Sequence, residues 1–221
     1  MKQVIAHRGA SGLALENSST AIQLALKQTN TIIEFDVRLT QDHKLVVCHD
    51  ANLVKMANNS SKIADYSWAD LKDIQLTDGS QLLLLEDVLK MAGKRPLLIE
   101  AKDLGSELAI VAAIDKFPQA MATVISFKRP VLLAIKELRP KQKMYVSENN
   151  DAIDAIHFAK RHDFRGLALN GWLLSPHVYW LCRRAKLEVF VYTINSRFLV
   201  WFIRRLYPGV TICTDFPERF K

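Results

Sequence analysis

Long apolar runs are missing from this 221-residue chain. No stretch reaches the ~18 to 20 apolar residues that a membrane-spanning helix needs, so none is expected. No long apolar region with a small-residue cleavage site precedes the first strand-like run, and the expectation is a chain without a signal peptide. Cysteine is sparse. Cys48, Cys182 and Cys213 are odd in number and widely spaced, which excludes a disulfide framework and a zinc-finger pattern. Cys48 and Cys213 sit inside apolar runs and read as reduced core thiols, which favours the cytoplasm. Seven prolines and eight glycines are scattered, so no linker or low-complexity segment divides the chain. No repeat of fixed period appears. Acidic residues are also in deficit, 23 against 30 lysines and arginines, for a net charge of +7. Such a balance attracts phosphodiesters, membrane surfaces and nucleic acid. A solvated basic surface with no partner accounts for it equally. No recognisable nucleic-acid motif is present, so nucleic acid is not an expected partner.

What the chain does have is 49% hydrophobic residues, enough for a sizeable core, arranged as short runs that end in ionisable groups. Three of these lie near the start: Ala6-His7-Arg8-Gly9, Glu34-Phe35-Asp36-Val37 and Val46-Val47-Cys48-His49-Asp50. A run of this kind predicts a buried strand with its charges at the rim of a sheet. Two histidines, an arginine and carboxylates gathered at one rim suit acid–base chemistry on an anion beside a divalent metal. Thr40-Gln41-Asp42-His43 reads as the turn of a hairpin pairing Val37 with Val46 and Glu34 with His49. Side chains alternate along a strand, so Glu34 and Asp36 share a face. Leu97–Lys102 repeats the device and ends in the like-facing pair Glu100 and Lys102.

Nine strand-like runs alternate with helical patterns: Val4–Ala6, Ile32–Val37, Leu45–Cys48, Leu97–Glu100, Thr123–Phe127, Lys143–Val146, Gly166–Leu169, Val189–Ile194 and Val210–Cys213. Helices are expected over Ser19–Lys27, Leu104–Lys116, Asp151–His162 and Arg197–Leu206. Alternation predicts an α/β fold with a parallel sheet and helices outside. Folding Leu45–Cys48 back as an antiparallel strand leaves eight, the number of a (β/α)8 TIM barrel. Residues 1–221 then form a single barrel domain, with a short insertion over residues 51–84, after the second-strand hairpin, crossing the mouth. In such a barrel the C-terminal strand ends carry the active site. His7, Glu34, Asp36, Glu100, Lys102 and Asp215 all fall there.

Glu34, Asp36 and Glu100 are the expected metal ligands. Oxygen donors on rigid strands suit one divalent cation, Mg²⁺ or Ca²⁺, and three converging carboxylates without a cation would repel. An ion-pair cluster with Lys102 and Arg8 is the alternative. His7 and His49 are the expected acid–base pair. Arg8 offers a planar fork for phosphate oxygens and Lys102 a point charge. Glu16 and Asn17, in the first strand-to-helix loop, either serve the substrate or cap the following helix. Tyr192 and Asn195, at a late strand end, are further candidates for substrate contact. His43, His157, His162 and His177 lack carboxylate partners at metal spacing and read as surface residues. Arg197–Tyr207 is apolar with basic edges. It reads first as a barrel-packing helix and second as a membrane-surface helix, giving at most a weak peripheral membrane contact.

Together these segments resemble the glycerophosphodiester phosphodiesterase family. The matching pieces, in the family's order from residue 5 to 217, are His7-Arg8-Gly9, Glu16-Asn17, Glu34-x-Asp36-Val37, Thr40-x-Asp42, Val46-Val47-x-His49-Asp50, Leu85-Glu86, Ile99-Glu100-x-Lys102, Ser126-Phe127, Thr193-Ile194-Asn195 and Thr214-Asp215-x-Pro217. Departures occur at Leu15 and Ser18, where the family has Pro and Thr around Glu-Asn, and at Tyr192, where it has Trp. Leu82–Leu85 and Lys55-Met56-Ala57 also differ. None removes a catalytic or metal position; they bear on the leaving alcohol. The resemblance implies metal-dependent hydrolysis of a glycerophosphodiester, such as glycerophosphocholine, to glycerol 3-phosphate and an alcohol. In the family mechanism the glycerol 2-hydroxyl attacks phosphorus and water then opens a cyclic phosphate. The same chemistry on a lysophospholipid, a lysophospholipase D, is the alternative. Leu13, Leu15, Met56, Leu83–Leu85 and the aromatic-basic helix Arg197–Tyr207 would then form an apolar mouth, which the Asn170-Gly171-Trp172 turn is also placed to line. A non-catalytic anion-binding barrel is a third reading, against which His7 and His49 argue.

Overall fold

The computed structural model describes residues 3–220. Within it the chain runs β1 (Val4–Ala6), α1 (Ser19–Leu26), β2 (Thr31–Leu39), β3 (Leu45–Val47), β4 (Asn52–Leu53), α2 (Val54–Ala57), β5 (Asn59–Lys62), α3 (Trp68–Leu71), α4 (Leu85–Ala92), β6 (Pro96–Ala101), α5 (Glu107–Lys116), β7 (Met121–Ser126), α6 (Arg129–Leu138), β8 (Met144–Glu148), α7 (Ala152–Arg161), β9 (Gly166–Asn170), α8 (Pro176–Arg184), β10 (Glu188–Tyr192), α9 (Arg197–Leu206) and β11 (Thr211–Thr214). Strands pair in the order β1-β11-β10-β9-β8-β7-β6-β2, and β1 also pairs with β2, so eight parallel strands close a barrel. β3 lies antiparallel on β2. This is the expected (β/α)8 fold, with the ninth run placed as the hairpin argument required.

Alternation of side chains decides what each strand gives to each side. Ile33, Phe35 and Val37 of β2 face outward into the apolar shell between strands and helices. Glu34 and Asp36 therefore face inward. Ile5, Leu98, Ile125, Ala168, Phe190 and Cys213 fill the barrel interior as a layer of their own. A third apolar cluster, with Leu53, Met56, Ile63, Leu71, Leu76 and Leu82, gives the 51–84 segment its own packing and anchors it on Val46 and Cys48. The segment carries the two-stranded β4–β5 sheet, which the sequence pattern did not announce because Asn59–Lys62 is polar and only half-buried.

The hairpin differs from the expected register by one residue. Val37 pairs with Val47, Arg38 with Val46 and Leu39 with Leu45. The turn is one residue longer than Thr40–His43 implies, because Thr40 and Lys44 close it. The Thr40 amide donates to the Lys44 carbonyl at 2.9 Å, and the Lys44 amide donates to the Thr40 hydroxyl at 2.8 Å. β3 ends at Val47, so His49 is not a ladder partner of Glu34.

Gly9 is fixed by close approach. Its φ is +79°, and a Cβ there would lie 2.6 Å from the Ala21 carbonyl carbon, inside α1. Only glycine lets the first strand-to-helix turn pass under that helix.

Candidate active site

Register alone brings the ionisable residues together. Ala6 pairs with Thr214 on one side and Ile33 on the other, so the next residue, His7, stands between Asp215 and Glu34. Asp36 pairs with Glu100 across β2 and β6. His7, Arg8, Glu34, His49, Glu100, Lys102 and Tyr192 line one cavity of about 170 Å³ at the C-terminal strand ends, with Phe127, Ser147, Phe190, Thr193 and Cys213.

Each histidine is held by a carboxylate. His7 Nδ1 lies 2.7 Å from Asp215 Oδ1, and His49 Nδ1 lies 2.7 Å from Asp50 Oδ1. Such a bond fixes the ring and leaves Nε2 as the working nitrogen. The two environments push the rings apart. Burial alone would lower His7, but the Asp215 hydrogen bond and the nearby Glu34 charge outweigh it and raise His7 above its ordinary value. His49 is lowered, chiefly by burial, with Lys102 and Arg8 adding to it against the opposing charge of Asp36.

Asp215 is itself positioned on all sides. Asn195 Nδ2 donates to Oδ2 at 2.7 Å, the Ser11 hydroxyl donates to Oδ1 at 3.0 Å, and the Asp215 amide donates to Asn195 Oδ1 at 2.9 Å. Despite its partial burial, the His7 bond and these donors hold its carboxyl down at about 2.

Glu34, Asp36 and Glu100 are buried, and one oxygen of each lies within 4.8 Å of the others. Glu34 Oε2 accepts the Arg8 amide at 2.7 Å. Lys102 Nζ sits 3.0 Å from Asp36 Oδ1 and 2.6 Å from Glu100 Oε1. Burial opposes ionisation of Asp36, yet Lys102 and Arg8 hold it below the usual carboxylate range. Glu34 has no such cation. Burial and the neighbouring Asp36 push it up to about 8. Burial and Asp36 also raise Glu100, against the pull of Lys102. Two fixed cations thus leave three buried carboxylates short of positive charge. That deficit, with only oxygen donors on rigid strands, fits a hard divalent cation.

Arg8 Nη1 donates to Glu16 Oε1 at 2.9 Å, and Nε lies 3.4 Å from Asp36 Oδ2 without a hydrogen-bond partner. A buried guanidinium N–H with no acceptor is costly and suits a bound anion. Glu16 also takes Lys55 Nζ at 2.5 Å, which ties the 51–84 segment to the site.

Two substrate candidates belong elsewhere. Asn17 is 1% exposed and spends its side chain on Asp36, donating from Nδ2 to Oδ2 at 2.9 Å and accepting the Asp36 amide at 3.2 Å. It positions a carboxylate rather than facing the cavity. Asn195 likewise serves Asp215 and Thr214. Neither Asn17 nor Glu16 caps α1; Ser18 does. Tyr192 does line the cavity, and its hydroxyl donates to the Glu148 carbonyl at 2.9 Å. His43, His157 and His177 are exposed and His162 is half-buried, and none of them lines the cavity.

Sequence reasoning placed Asp215 at the active-site strand ends and Asp50 beside His49, but did not assign either as a histidine partner. Asp50 follows His49 directly, and Asp215 ends the strand that closes the barrel against His7. Either pairing could have been found by asking what orients each ring.

Comparison with known proteins identifies the family and the fold. The Glycerophosphoryl diester phosphodiesterase family model matches residues 7–219. A glycerophosphodiester phosphodiesterase from Bacillus altitudinis is 28% identical over 99% of this chain and 96% of its own. A solved glycerophosphodiester phosphodiesterase from Parabacteroides distasonis superposes with a TM-score of 0.86 at 27% identity, covering 99% of this chain and 94% of that one. An Oleispira antarctica phosphodiesterase, solved with the product sn-glycerol-3-phosphate, shares the fold at a TM-score of 0.90 and 22% identity, covering 99% and 95%. With a family match over nearly its whole length and a histidine, arginine and carboxylate cluster at the barrel mouth, the chain belongs to the glycerophosphoryl diester phosphodiesterase family.

Proposed function

We propose that the protein hydrolyses glycerophosphodiesters to glycerol 3-phosphate and an alcohol, with His7 and His49 as the acid–base pair. The observation that carries this is two histidines, each braced on Nδ1 by a carboxylate, lining one small cavity with Arg8, Glu34 and Glu100, and with Asp36 buried beside them. The histidines' opposite shifts support one division of roles. His49, whose lowered value favours the neutral ring, takes the proton from the attacking glycerol 2-hydroxyl. His7, whose raised value favours the imidazolium, gives its proton to the departing alkoxide, a poor leaving group without it. Water then opens the cyclic phosphate with the two roles exchanged. Arg8 and Lys102 hold the phosphate oxygens. Glu34, Asp36 and Glu100 would hold one divalent cation, Mg²⁺ or Ca²⁺, which would supply Lewis-acid charge neutralisation for a phosphodiester. Residues 1–221 act as one domain, with residues 51–84 as a partial roof that Lys55 pins to Glu16. Three buried free thiols support a reducing compartment, the cytoplasm.

The assignment predicts a bell-shaped pH profile for turnover. Its rising limb follows His49, below the ordinary histidine value, and its falling limb follows His7, above it. Asp215→Asn removes what raises His7, so the falling limb moves to lower pH and the maximum narrows. An unmoved falling limb in a folded variant contradicts the role of His7.

A cavity of about 170 Å³ suits a small polar substrate, being well below the roughly 300–1,000 Å³ of drug-sized sites. One observation favours lysophospholipids as a second reading. An apolar groove of about 370 Å³ adjoins the cavity through Tyr192 and Thr193. It is built from Trp172, Leu174, Leu199 and Phe202, so of the mouth residues that the sequence suggested it uses the 197–207 helix and the Trp172 turn, and none of Leu13, Leu15, Met56 and Leu83–Leu85. Met56 and Leu85 are buried in apolar clusters and Leu15 packs beside one of them. The test is kcat/KM for glycerophosphocholine against lysophosphatidylcholine below its critical micelle concentration. We expect the faster reaction with glycerophosphocholine; a clear preference for the lysolipid moves the assignment to lysophospholipase D.

A further inference from the structure

Helix α9 has two apolar faces, and barrel packing explains one. Val200 and Ile203 are buried against the shell. Phe198, Trp201 and Phe202 point the other way, at the i, i+3, i+4 spacing of a second stripe. Phe198 is 67% exposed and Trp201 61%, with ring centroids 6.1 Å apart. Phe198 also stacks on Phe202 at 6.3 Å. Trp172, at the turn after β9, is 96% exposed. It shares the groove wall with Leu199 and Phe202, and that groove reaches the catalytic cavity at Tyr192 and Thr193. The patch therefore borders the mouth. Contiguous exposed aromatics on a water-soluble barrel need an occupant.

Charge identifies it. Between residues 166 and 214 the chain has six arginines and lysines and a single carboxylate, Glu188. This stretch thus carries five of the seven net positive charges. Glu188 is itself engaged by Arg165 and Tyr145. Arg197 and Arg205 are exposed on α9, and Arg183 and Arg184 on α8, whose Tyr179 packs on Tyr207 just past the end of α9. A second copy of this chain docked on the same face would set like charges against each other. Tryptophan on a projecting turn and aromatics on a convex helix need no preformed pocket in the partner. Aromatic rings at headgroup depth with arginines above them match an anionic bilayer surface.

We propose that the α9 face, with Trp172, docks this protein on anionic lipid bilayers and sets the mouth of the active site against the membrane surface. The proposal concerns binding and stands apart from the catalytic assignment.

The test is co-sedimentation with vesicles of equimolar phosphatidylcholine and phosphatidylglycerol, beside vesicles of phosphatidylcholine alone. The wild-type protein is expected to bind the anionic vesicles, at least tenfold more weakly at high salt, with tryptophan fluorescence shifting to the blue. Phe198→Ser/Trp201→Ser is expected to lose at least tenfold in vesicle affinity and to keep wild-type turnover of soluble glycerophosphocholine. Arg197→Gln/Arg205→Gln is expected to lose the preference for anionic vesicles. Trp172→Ser provides a second variant, remote from α9 in sequence, should the helix changes disturb folding. Absence of wild-type binding to anionic vesicles overturns the proposal, as does equal binding to neutral ones. A concentration-dependent dimer in sedimentation velocity that Phe198→Ser/Trp201→Ser abolishes, with no vesicle binding, overturns it in favour of self-association.

Discussion

His49→Ala leaves the barrel folded and lowers turnover at least ~100-fold, the loss expected of a general acid or base. The ring is partly exposed two residues past β3 and pairs with Asp50, so its removal leaves no core cavity. What is lost is the neutral Nε2 that accepts the proton of the nucleophile. His7→Ala produces a loss of the same order through the other proton. The double variant is far from the sum of the two, because acid and base act on one transition state. Circular dichroism and steady-state kinetics on metal-loaded protein decide it. Near wild-type turnover in a folded His49→Ala protein removes the residue from the mechanism.

Exhaustive chelation is expected to abolish turnover, and Mg²⁺ or Ca²⁺ to restore it. The cause is the charge deficit among Glu34, Asp36 and Glu100, whose oxygens converge within 4.8 Å. A cation that binds only the folded chain also stabilises it, by about 2.7 kcal/mol at a hundredfold excess over Kd. For a chain of this size that corresponds to a rise in Tm of roughly 5–10 °C. Glu34→Gln removes one ligand and is expected to abolish both the metal-dependent shift and most turnover. Full activity after chelation, with no metal found by elemental analysis, contradicts the metal assignment.

The sequence made the barrel legible because its signal is periodic. Apolar runs closing on charges gave eight parallel strands, and alternation placed Glu34 and Asp36 on one face. Where the signal was local and polar it failed. The hairpin register depended on Thr40 bonding Lys44, a contact between side chain and backbone that hydrophobic pattern does not encode. β5 is a strand of Asn, Ser and Lys, with no apolar alternation to betray it. In the site, residues at strand ends were found and residues behind them were not. Asn17 and Asn195 match family motifs, which leaves substrate contact open for both and helix capping for Asn17. Their amides in fact brace Asp36 and Asp215, which only barrel closure makes visible. Asp215 reaches His7 across 208 residues of chain, through the pairing of the first strand with the last.

The central claim is that this barrel cleaves a glycerophosphodiester on the alcohol side of phosphorus with the help of a divalent cation. Phosphorus-31 NMR of glycerophosphocholine incubated with the protein tests it most directly, in samples with added Mg²⁺ or Ca²⁺ and in samples with excess chelator. The account predicts a glycerol 3-phosphate resonance growing at the expense of the diester in the metal-loaded sample and an unchanged spectrum under chelation. Phosphocholine as product, or an unchanged spectrum with either metal present, would contradict it.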